Sequence, residues 1–363
     1  MVRRTFWQGK RVFLTGHTGF KGGWLATWLL EMRAEVAGYA LKPDTEPSYF
    51  TLCGLGELMQ SDFGDIRELD GLGRALRKAE PGIVIHLAAQ PLVRRSYREP
   101  VETFATNVMG TVHVLEAVRR TPSVRAAVIV TSDKCYENRE WMWGYREDEA
   151  LGGRDPYSAS KGCAELVTSA FRWSFFGGAG RSPAVATVRA GNVIGGGDWG
   201  EDRLVADAVR AIQRGQPLVV RNPKSVRPWQ HVLEPLAGYL ELAERLYTEG
   251  DKWAGAWNFG PRDEDAVTVA ELATMIMRLW GKGDWEAASE QEAPREARYL
   301  KLDCSKARQI LRWRSRLTLE EAVRMTVAWY RRARAAELGR EMYDFTCEQI
   351  RDYERHPGTG GER

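Results

Sequence analysis

Residues 12–22 read VFLTGHTGFKG and decide the fold of this 363-residue chain. The apolar run leads directly into Gly16, Gly19 and Gly22, which are spaced as GxxGxxG, and a helical pattern follows. A strand, a tight turn and a helix start in this order are typical of a dinucleotide-binding unit, because glycine lets the backbone approach a diphosphate. A glycine-rich turn without a ligand is the alternative, so the prediction depends on the residues that follow.

A tyrosine and a lysine one helical turn apart supply the second signal. Residues 155–161 read DPYSASK, and Pro156 suits the first position of a helix. Tyr157 and Lys161 then project from one face of that helix. Because an ammonium stabilises a neighbouring phenolate, we expect a lowered pKa for Tyr157 and proton exchange near neutral pH. With the glycine turn, this pair predicts a nicotinamide-dependent enzyme, and a surface i,i+4 pair is the alternative.

Short apolar runs alternate with helical patterns through the first half of the chain. The runs lack polar alternation, as expected of parallel strands that are buried on both faces. The pattern predicts an α/β fold with a Rossmann-type doubly wound parallel sheet, whose ligands bind at the C-terminal ends of the strands. The predicted strands cover residues 12–15, 35–41, 83–88, 126–131 and 184–189, and the predicted helices cover 22–32, 66–78, 101–120 and 157–176.

The pattern becomes less regular beyond Arg189, where glycines cluster and tryptophans recur. We therefore predict a cofactor-binding domain over residues 1–190, with return segments near 232–260. A smaller, discontinuous substrate lobe is predicted over 191–231 and 261–335. Residues 336–363 are expected to form a C-terminal helix and a flexible tail, since the last residues are polar and glycine-rich.

Composition excludes several classes of protein. The 52 Lys and Arg nearly balance the 49 Asp and Glu, so no large basic field favours a nucleic-acid partner or an anionic membrane. No segment approaches the roughly 20 apolar residues that cross a bilayer. The five cysteines are scattered and form no CxxC pair, which argues against disulfides and a zinc site and for a reducing compartment. We expect a cytoplasmic protein without a metal.

Four motifs together resemble the extended short-chain dehydrogenase/reductase family over residues 10–327. Besides the glycine turn and the Tyr157/Lys161 pair, they are a DxxD-like segment at 62–65 and the sequence HLAA at 86–89 after a strand. The resemblance implies a bound nicotinamide dinucleotide. Its contacts are then expected to be Gly16, Thr18, Gly19, Phe20, Gly22, Asp65, Ile66, Leu87, Ala88, Ala89, Tyr157 and Lys161.

The end of the second predicted strand departs from that family. Lys42 stands where NAD-binding members commonly place an acid for the adenosine hydroxyls. A lysine there would suit the 2′-phosphate of NADP, or it points into water. We favour NAD over NADP, since the reaction expected below returns the hydride to the sugar and needs no external reductant.

The segment TSDKCY at 131–136 resembles the site of nucleotide-sugar 4,6-dehydratases. Most of those have a glutamate where Lys134 stands, and the lysine within DKCYENREW resembles the members that act on CDP-glucose. The resemblance implies a redox-neutral lyase that oxidises C4, eliminates water across C5 and C6, and reduces C6. Ser132 is expected to bind the 4-oxygen, Asp133 to protonate the departing 6-hydroxyl, and Lys134 to act as the C5 base. For Lys134 the alternative is a charged contact to Asp133 or to diphosphate.

Other functions stay open at this point. A dehydratase of another nucleoside diphosphate glucose would use the same residues, and a nucleotide-sugar 4-epimerase would share Tyr157 and Lys161 but need no acid at C6. A non-catalytic NAD-sensing protein is a more distant alternative. The family resemblance also implies a set of contacts to the nucleotide sugar, which are Gln90, Asn192, Arg203, Arg227 and Tyr299.

Two predicted helices carry broad apolar faces, at residues 101–120 and 157–176. In relatives the equivalent helices pair across a twofold axis, so the resemblance implies a homodimer or a dimer of dimers. The alternative is that both faces pack against the sheet.

Overall fold

A seven-stranded parallel sheet forms the centre of the protein. The structure, a computed structural model, describes residues 2–177, 182–288, 299–335 and 339–358. In chain order the strands are β1 (Arg11–Thr15), β2 (Glu35–Ala40), β3 (Gln60–Phe63), β4 (Ile83–His86), β5 (Ala126–Val130), β6 (Ala184–Arg189), β7 (Val193–Ile194), β8 (Leu218–Val220), β9 (Val226–Pro228), β10 (Gln230–His231), β11 (Gly255–Asn258), β12 (Ala266–Thr268) and β13 (Trp285–Ala287).

Helices cover both faces of this sheet. They are α1 (Arg4–Trp7), α2 (Phe20–Glu31), α3 (Tyr49–Leu52), α4 (Leu55–Leu58), α5 (Leu69–Ala79), α6 (Val93–Arg98), α7 (Pro100–Phe104), α8 (Gly110–Arg119), α9 (Pro156–Phe171), α10 (Leu204–Arg214), α11 (Leu233–Glu249), α12 (Val269–Trp280), α13 (Leu319–Ala335) and α14 (Arg340–Arg355). Short 3-10 segments lie at Asp133–Cys135, Gly250–Trp253 and Asp263–Asp265, and π-helical segments at Ala105–Met109, Arg172–Phe176 and Ala307–Leu311.

The strand order is β11-β6-β5-β4-β1-β2-β3, so the chain reverses direction across the sheet between β1 and β4. Loops that leave the C-terminal ends of these two neighbouring strands diverge and open a crevice, which is where doubly wound folds bind ligands. The predicted α/β class and the doubly wound sheet are therefore confirmed. The five predicted strands agree with the observed ones to within two residues at their ends.

Alternate residues of β1 explain how both faces are filled. Val12 and Leu14 pack in the larger core cluster with residues of α2 and α11, whereas Phe13 belongs to a second cluster with residues of α5 and α8. Each of the three side chains is at most 1% exposed. Burying such a side chain contributes about 1.5–3 kcal/mol, and an uninterrupted apolar strand is what two covered faces require.

Two features of the sheet and its helices were not predicted. The edge strand β3 has the sequence QSDF with partly exposed side chains, so it lacks the apolar run that revealed the central strands. The predicted helix over 101–120 is also interrupted by the π-helical segment Ala105–Met109. That segment brings Asn107 inside, where it is 2% exposed.

Beyond β6 the chain forms short paired strands, with β7 beside β10, β8 beside β13 and β9 beside β12, and it returns β11 to the sheet next to β6. The proposed division into domains stays a prediction. Part of the expected flexible tail, residues 359–363, lies outside the described residues, as do 336–338 at the start of the expected C-terminal segment. Over the part of the chain that the structure describes, no helix combines the length and apolar character needed to cross a membrane.

Candidate active site

The glycine turn between β1 and α2 is too tight for any side chain at two of its glycines. Gly16 has a φ of +76°, and a Cβ there would lie 2.6 Å from the Ala88 backbone nitrogen. A Cβ on Gly22 would lie 2.1 Å from the Gly16 carbonyl oxygen. Gly19 caps α2 without a side-chain hydrogen bond, so the N–H groups of the first helical turn have no side-chain cap. An exposed helix N-terminus of this kind suits a diphosphate.

The other expected cofactor residues surround this turn. Thr18 donates a hydrogen bond of 2.9 Å to the Leu41 carbonyl, which fixes the loop after β2. The Phe20 ring packs so closely on Gly195 that a Cβ there would approach it to 2.9 Å. Ile66 is buried, and Asp65 accepts hydrogen bonds from the backbone and guanidinium of Arg67.

Lys42, the residue that raised the question of NADP, is exposed just beyond β2.

A hydrogen-bond network that sequence reasoning missed ties the ends of β1 and β4 together. The Thr15 hydroxyl lies 2.6 Å from His86 Nδ1 and accepts from the backbone N–H groups of Leu87 and Ala88, each at 3.2 Å. Burial and the Lys161 charge lower the pKa of His86 to about 3, so its ring is neutral. The network fixes the backbone at 87–89 beside the glycine turn, where the cofactor contacts are expected.

Tyr157 and Lys161 are placed by the start of α9. Asp155 caps the helix by accepting a 2.9 Å hydrogen bond from the Ser158 backbone N–H, and Pro156 occupies the first turn. Tyr157 is 7% exposed and Lys161 is 5% exposed. The Lys161 ammonium donates to the Val130 carbonyl at 3.4 Å, at the C-terminal end of β5.

Burial dominates the protonation of this pair. It raises the pKa of Tyr157 to about 12, against a hydrogen bond with Ser132 and the charge of Arg203 that lower it. Burial and the charge of Lys21 lower the pKa of Lys161 to about 8. The expectation of a lowered Tyr157 pKa is therefore wrong for this structure, because desolvation of the phenolate outweighs the neighbouring cations.

Ser132 and Asp133 lie at the end of β5, beside Tyr157. Ser132 accepts from the Lys134 backbone N–H at 3.2 Å and donates to Asp133 at 2.9 Å, so it caps the 3-10 turn and orients the carboxylate. Asp133 is 3% exposed and packs on Gly191, where a Cβ would lie 1.9 Å from Asp133 Oδ2. The structure thus brings together the hydroxyl, the carboxylate and the phenol that the sequence predicted, and Lys134 is half-buried on the same turn.

Gln90 is held by a second network that the sequence did not reveal. Its Oε1 accepts from the Leu92 N–H at 2.6 Å, and its Nε2 donates to Thr103 at 2.8 Å. Asn107 binds both the Gln90 backbone and Ser160 of α9. These bonds fix the Gln90 side chain and leave one N–H of its Nε2 and one lone pair of its Oε1 for a further partner.

The remaining predicted substrate residues lie on the segments beyond β6. Asn192 has a φ of +48° and its carbonyl accepts from the Gln230 N–H at 3.1 Å. The Arg203 guanidinium is 3.8 Å from Asp198 and 3.5 Å from the Pro91 carbonyl, so it bridges the two sides of the crevice. Arg227 is in the short strand β9, and the Tyr299 carbonyl accepts from Asn138 at 3.1 Å.

Lys21 is a further charged residue of this crevice that the sequence analysis did not select. It follows Phe20 in the first turn of α2, and its pKa is affected by the charges of Arg203, Asp133 and Asp198. The signal that could have identified it is its position inside the glycine turn, between an aromatic residue and a glycine that allows no side chain. Among the residues that the structure describes, no cluster of histidine, cysteine and carboxylate side chains could hold a metal ion.

Comparisons with known proteins show the family of this chain. The family described as GDP-mannose 4,6 dehydratase matches residues 13–326. The CDP-glucose 4,6-dehydratase of Salmonella typhimurium is 54% identical, over 97% of this chain and 98% of that protein. The structure of MoeE5 in complex with UDP-glucose and NAD is 26% identical, with a TM-score of 0.74 over 90% of this chain and 99% of that one.

The fold is also shared with DesIV, a dTDP-glucose 4,6-dehydratase from Streptomyces venezuelae whose structure has NAD and TYD bound. That similarity has a TM-score of 0.74 at 23% identity, over 90% of this chain and 98% of the other.

Proposed function

Because the chain belongs to the GDP-mannose 4,6-dehydratase family, we propose that it converts CDP-D-glucose to CDP-4-dehydro-6-deoxy-D-glucose and water. The relative at 54% identity is a dehydratase of CDP-glucose, and its similarity extends over nearly the whole of both chains. The observation that supports this reaction is that Tyr157, Ser132 and Asp133 lie together at one end of β5, beside the glycine turn. These are the groups that proton removal at C4 and water loss at C6 require.

The cofactor is NAD. Bound NAD would supply reversible hydride transfer, from C4 of the sugar and back to C6, which would make the overall reaction redox-neutral. The crevice fits it, since the glycine turn has no room for a Cβ at Gly16 or Gly22 and leaves the first N–H groups of α2 without a side-chain cap. We assign the diphosphate to this turn and the adenosine to the side of the crevice with Asp65 and Ile66.

Tyr157 takes the proton of the 4-hydroxyl in this proposal. Its high pKa means that the phenolate is a strong base once formed, and that it forms only with compensating positive charge nearby. Lys161 and Arg203 supply that charge. Ser132 holds the 4-oxygen through its hydroxyl and orients Asp133 at the same time.

Asp133 gives its proton to the 6-hydroxyl as the C6–O bond breaks. Oxidation of C4 to a ketone acidifies the C5 hydrogen, so a base at C5 and an acid at C6 complete the elimination. The carboxyl group is 3% exposed and accepts a 2.9 Å hydrogen bond from Ser132, which orients it for this step. Lys134 was predicted as the base and stays a candidate.

The experiment that tests this function is incubation of the protein and NAD with CDP-, dTDP-, UDP- and GDP-glucose, followed by mass analysis. We expect loss of one water from CDP-glucose. If only dTDP-glucose gave a product, the assignment of the nucleotide would be refuted and the assignment of the reaction would stand. A product of unchanged mass would indicate a 4-epimerase, and the Asp133→Asn variant, which keeps the shape of the side chain, is expected to form no dehydrated product.

We also propose a homodimer in the cytoplasm, formed through the helical segments over residues 101–120 and 157–176. Large apolar side chains are exposed there, among them Val101 at 82%, Leu166 at 59% and Trp173 at 81%. A second copy would bury these side chains in a helix bundle around a twofold axis. Light scattering should give twice the chain mass, or four times for a dimer of dimers. Trp173→Glu should yield monomers, whereas Ile310→Glu, a control at another exposed apolar residue, should not.

A further inference from the structure

A buried ion pair joins α9 to the end of β6 next to the candidate active site. Arg189 Nε lies 2.8 Å from Glu165 Oε1, and Arg189 Nη2 donates to Glu165 Oε2 at 2.9 Å. Both side chains are 3% exposed. Glu165 follows Lys161 by four residues, so the two side chains share one face of α9. The ion pair therefore connects the helix of Lys161 with the sheet.

The same pair holds the segment that bears Asp133 from both sides. Thr131, two residues before Asp133, donates to Glu165 Oε1 at 2.5 Å. Tyr136, three residues after Asp133, accepts from Arg189 Nη1 at 2.6 Å, and its ring centroid lies 4.7 Å from the guanidinium carbon. The two ends of the turn are thus tied to the two members of one ion pair.

Arg189 also fixes the loop against which Asp133 packs. Gly191 follows Arg189 by two residues, and a Cβ on Gly191 would lie 1.9 Å from Asp133 Oδ2. Arg189 Nη1 donates as well to the Glu147 carbonyl at 3.0 Å, in the segment that leads to α9. One buried pair therefore sets the place of the turn of Asp133, of the loop beside it and of the helix next to it.

Stability alone does not account for such a pair. The cost of removing two charges from water often equals or exceeds their attraction, so a buried ion pair is weak evidence for a stabilising role. The guanidinium is a planar, rigid fork, so its bonds fix directions as well as distances. Those of Arg189 reach a carboxylate on α9 and a hydroxyl on the segment after β5. This arrangement favours a role in geometry.

Resting on the function proposed above, we propose that Arg189 and Glu165 are positioning residues for Asp133. The pair holds the turn of Asp133 at a fixed place relative to α9, which carries Tyr157 and Lys161. In the proposed reaction C4 is oxidised beside α9 and water then leaves from C6 beside the turn, so one sugar has to face both segments. The spacing of the segments therefore decides whether the acid meets the 6-hydroxyl after oxidation.

Two threonines that bind the same carboxylate separate this role from a role in stability. Thr131→Val removes the 2.5 Å bond to Glu165 Oε1 beside the turn, whereas Thr187→Val removes the 2.7 Å bond to Oε2 from within β6. Both threonines are buried and both variants keep the ion pair, so the melting temperature should fall similarly. Water release from CDP-glucose should fall about tenfold in Thr131→Val, because a misplacement of about 1 Å costs about 10²-fold and the second tie remains. Thr187→Val should release water at a near-normal rate.

Tyr136→Phe removes the second tie and keeps the ring. It should also slow water release about tenfold, and its combination with Thr131→Val should reach about 10²-fold. Tyr353→Phe is the matched control, since the Tyr353 hydroxyl makes a buried 2.9 Å bond to Glu234 and ties α14 to α11 instead. Its water release should stay near normal. Thr131→Ser, which keeps the hydroxyl, should restore water release.

The step at which the reaction slows is a readout that a loss of stability would not give. C4 oxidation depends on Tyr157 and Lys161, so it should change much less than water release in Thr131→Val and Tyr136→Phe. The absorbance of the reduced cofactor should then persist in these variants after CDP-glucose is added, and titration should show unchanged NAD binding. A protein that was only less stable would lose oxidation and water release together.

Three results would overturn the assignment. The first is full water release in the double variant with Thr131→Val and Tyr136→Phe. The second is an equal loss of water release in Thr131→Val and Thr187→Val, and the third is a parallel loss of oxidation and water release that follows weaker NAD binding. Failure of the proposed function looks different, because the unmodified protein would then neither reduce the cofactor nor release water from CDP-glucose.

Discussion

Gly191→Ala should damage catalysis while leaving the fold intact, because its new methyl group would collide with one catalytic atom. The Cβ would lie 1.9 Å from Asp133 Oδ2 and 2.3 Å from its Cγ. Those atoms belong to a side chain and not to the backbone, so the Asp133 side chain can move without a change in the course of the chain. Gly191 does not have a positive φ, so alanine introduces no backbone strain there.

The size of the effect follows from the distance that the carboxylate must move. Real Cβ contacts essentially never fall below 3.0 Å, so Oδ2 has to retreat by at least the difference between 3.0 and 1.9 Å, which is 1.1 Å. A displacement of about 1 Å at a reacting group can cost about 10²-fold in rate, or about 2.7 kcal/mol of barrier. The displaced carboxylate also loses its 2.9 Å hydrogen bond with Ser132.

The assay follows three quantities in the same preparation. Water release from CDP-glucose should fall about 10²-fold, NAD binding should be unchanged, and the melting temperature should shift by only a few degrees. Gly152→Ala is a matched control, since its Cβ would meet Glu137 at an ordinary 3.6 Å. That variant should behave as the unmodified protein.

Full water release by Gly191→Ala would refute the reasoning, since Asp133 would then act from a displaced position. A collapse of the melting temperature with a proportional loss of NAD binding would also contradict it. In that case the methyl group would have disturbed the fold instead of one side chain.

Three further outcomes test the proton chemistry and the stability of the site. Tyr157→Phe should lower C4 oxidation by about 10²–10⁴-fold without changing NAD binding, measured by absorbance of the reduced cofactor, and normal oxidation would remove its role as base. Glu165→Gln should lower the free energy of unfolding in urea by about 3–5 kcal/mol, because the buried Arg189 charge loses its 2.8 Å partner, whereas Glu320→Gln, whose 3.0 Å bridge to Arg324 is exposed, should cost about 0–1 kcal/mol. Finally, burial lowers the pKa of His86 from 6.5 to about 3, so the folded state binds the smaller number of protons. Its contribution to stability should be complete above pH 6.5 and decline by about 1.4 kcal/mol per pH unit below it, and urea unfolding of His86→Gln should lack that component.

The sheet was predictable to the extent that its strands are buried on both faces. β6 runs over Ala184–Arg189 as predicted, because an apolar run with few polar residues fits a central parallel strand and little else. β3 was missed since its residues, QSDF, face solvent in part and carry no such run. Edge strands are specified by the neighbour they pair with, here β2, and a local pattern does not record that pairing.

The residues of the site differ in the same way: those with a local sequence signal could be predicted, and those that depend on packing between distant segments could not. Tyr157 and Lys161 could be predicted because one helical turn links them, and Asp133 because the segment TSDKCY resembles the site of nucleotide-sugar 4,6-dehydratases. Gly191 could not, since its importance comes from the packing of Asp133 on it, across segments far apart in the sequence, where an added Cβ would lie 1.9 Å from Oδ2. The direction of the Tyr157 pKa was also missed, because a spacing of residues does not show the depth of burial that raises it.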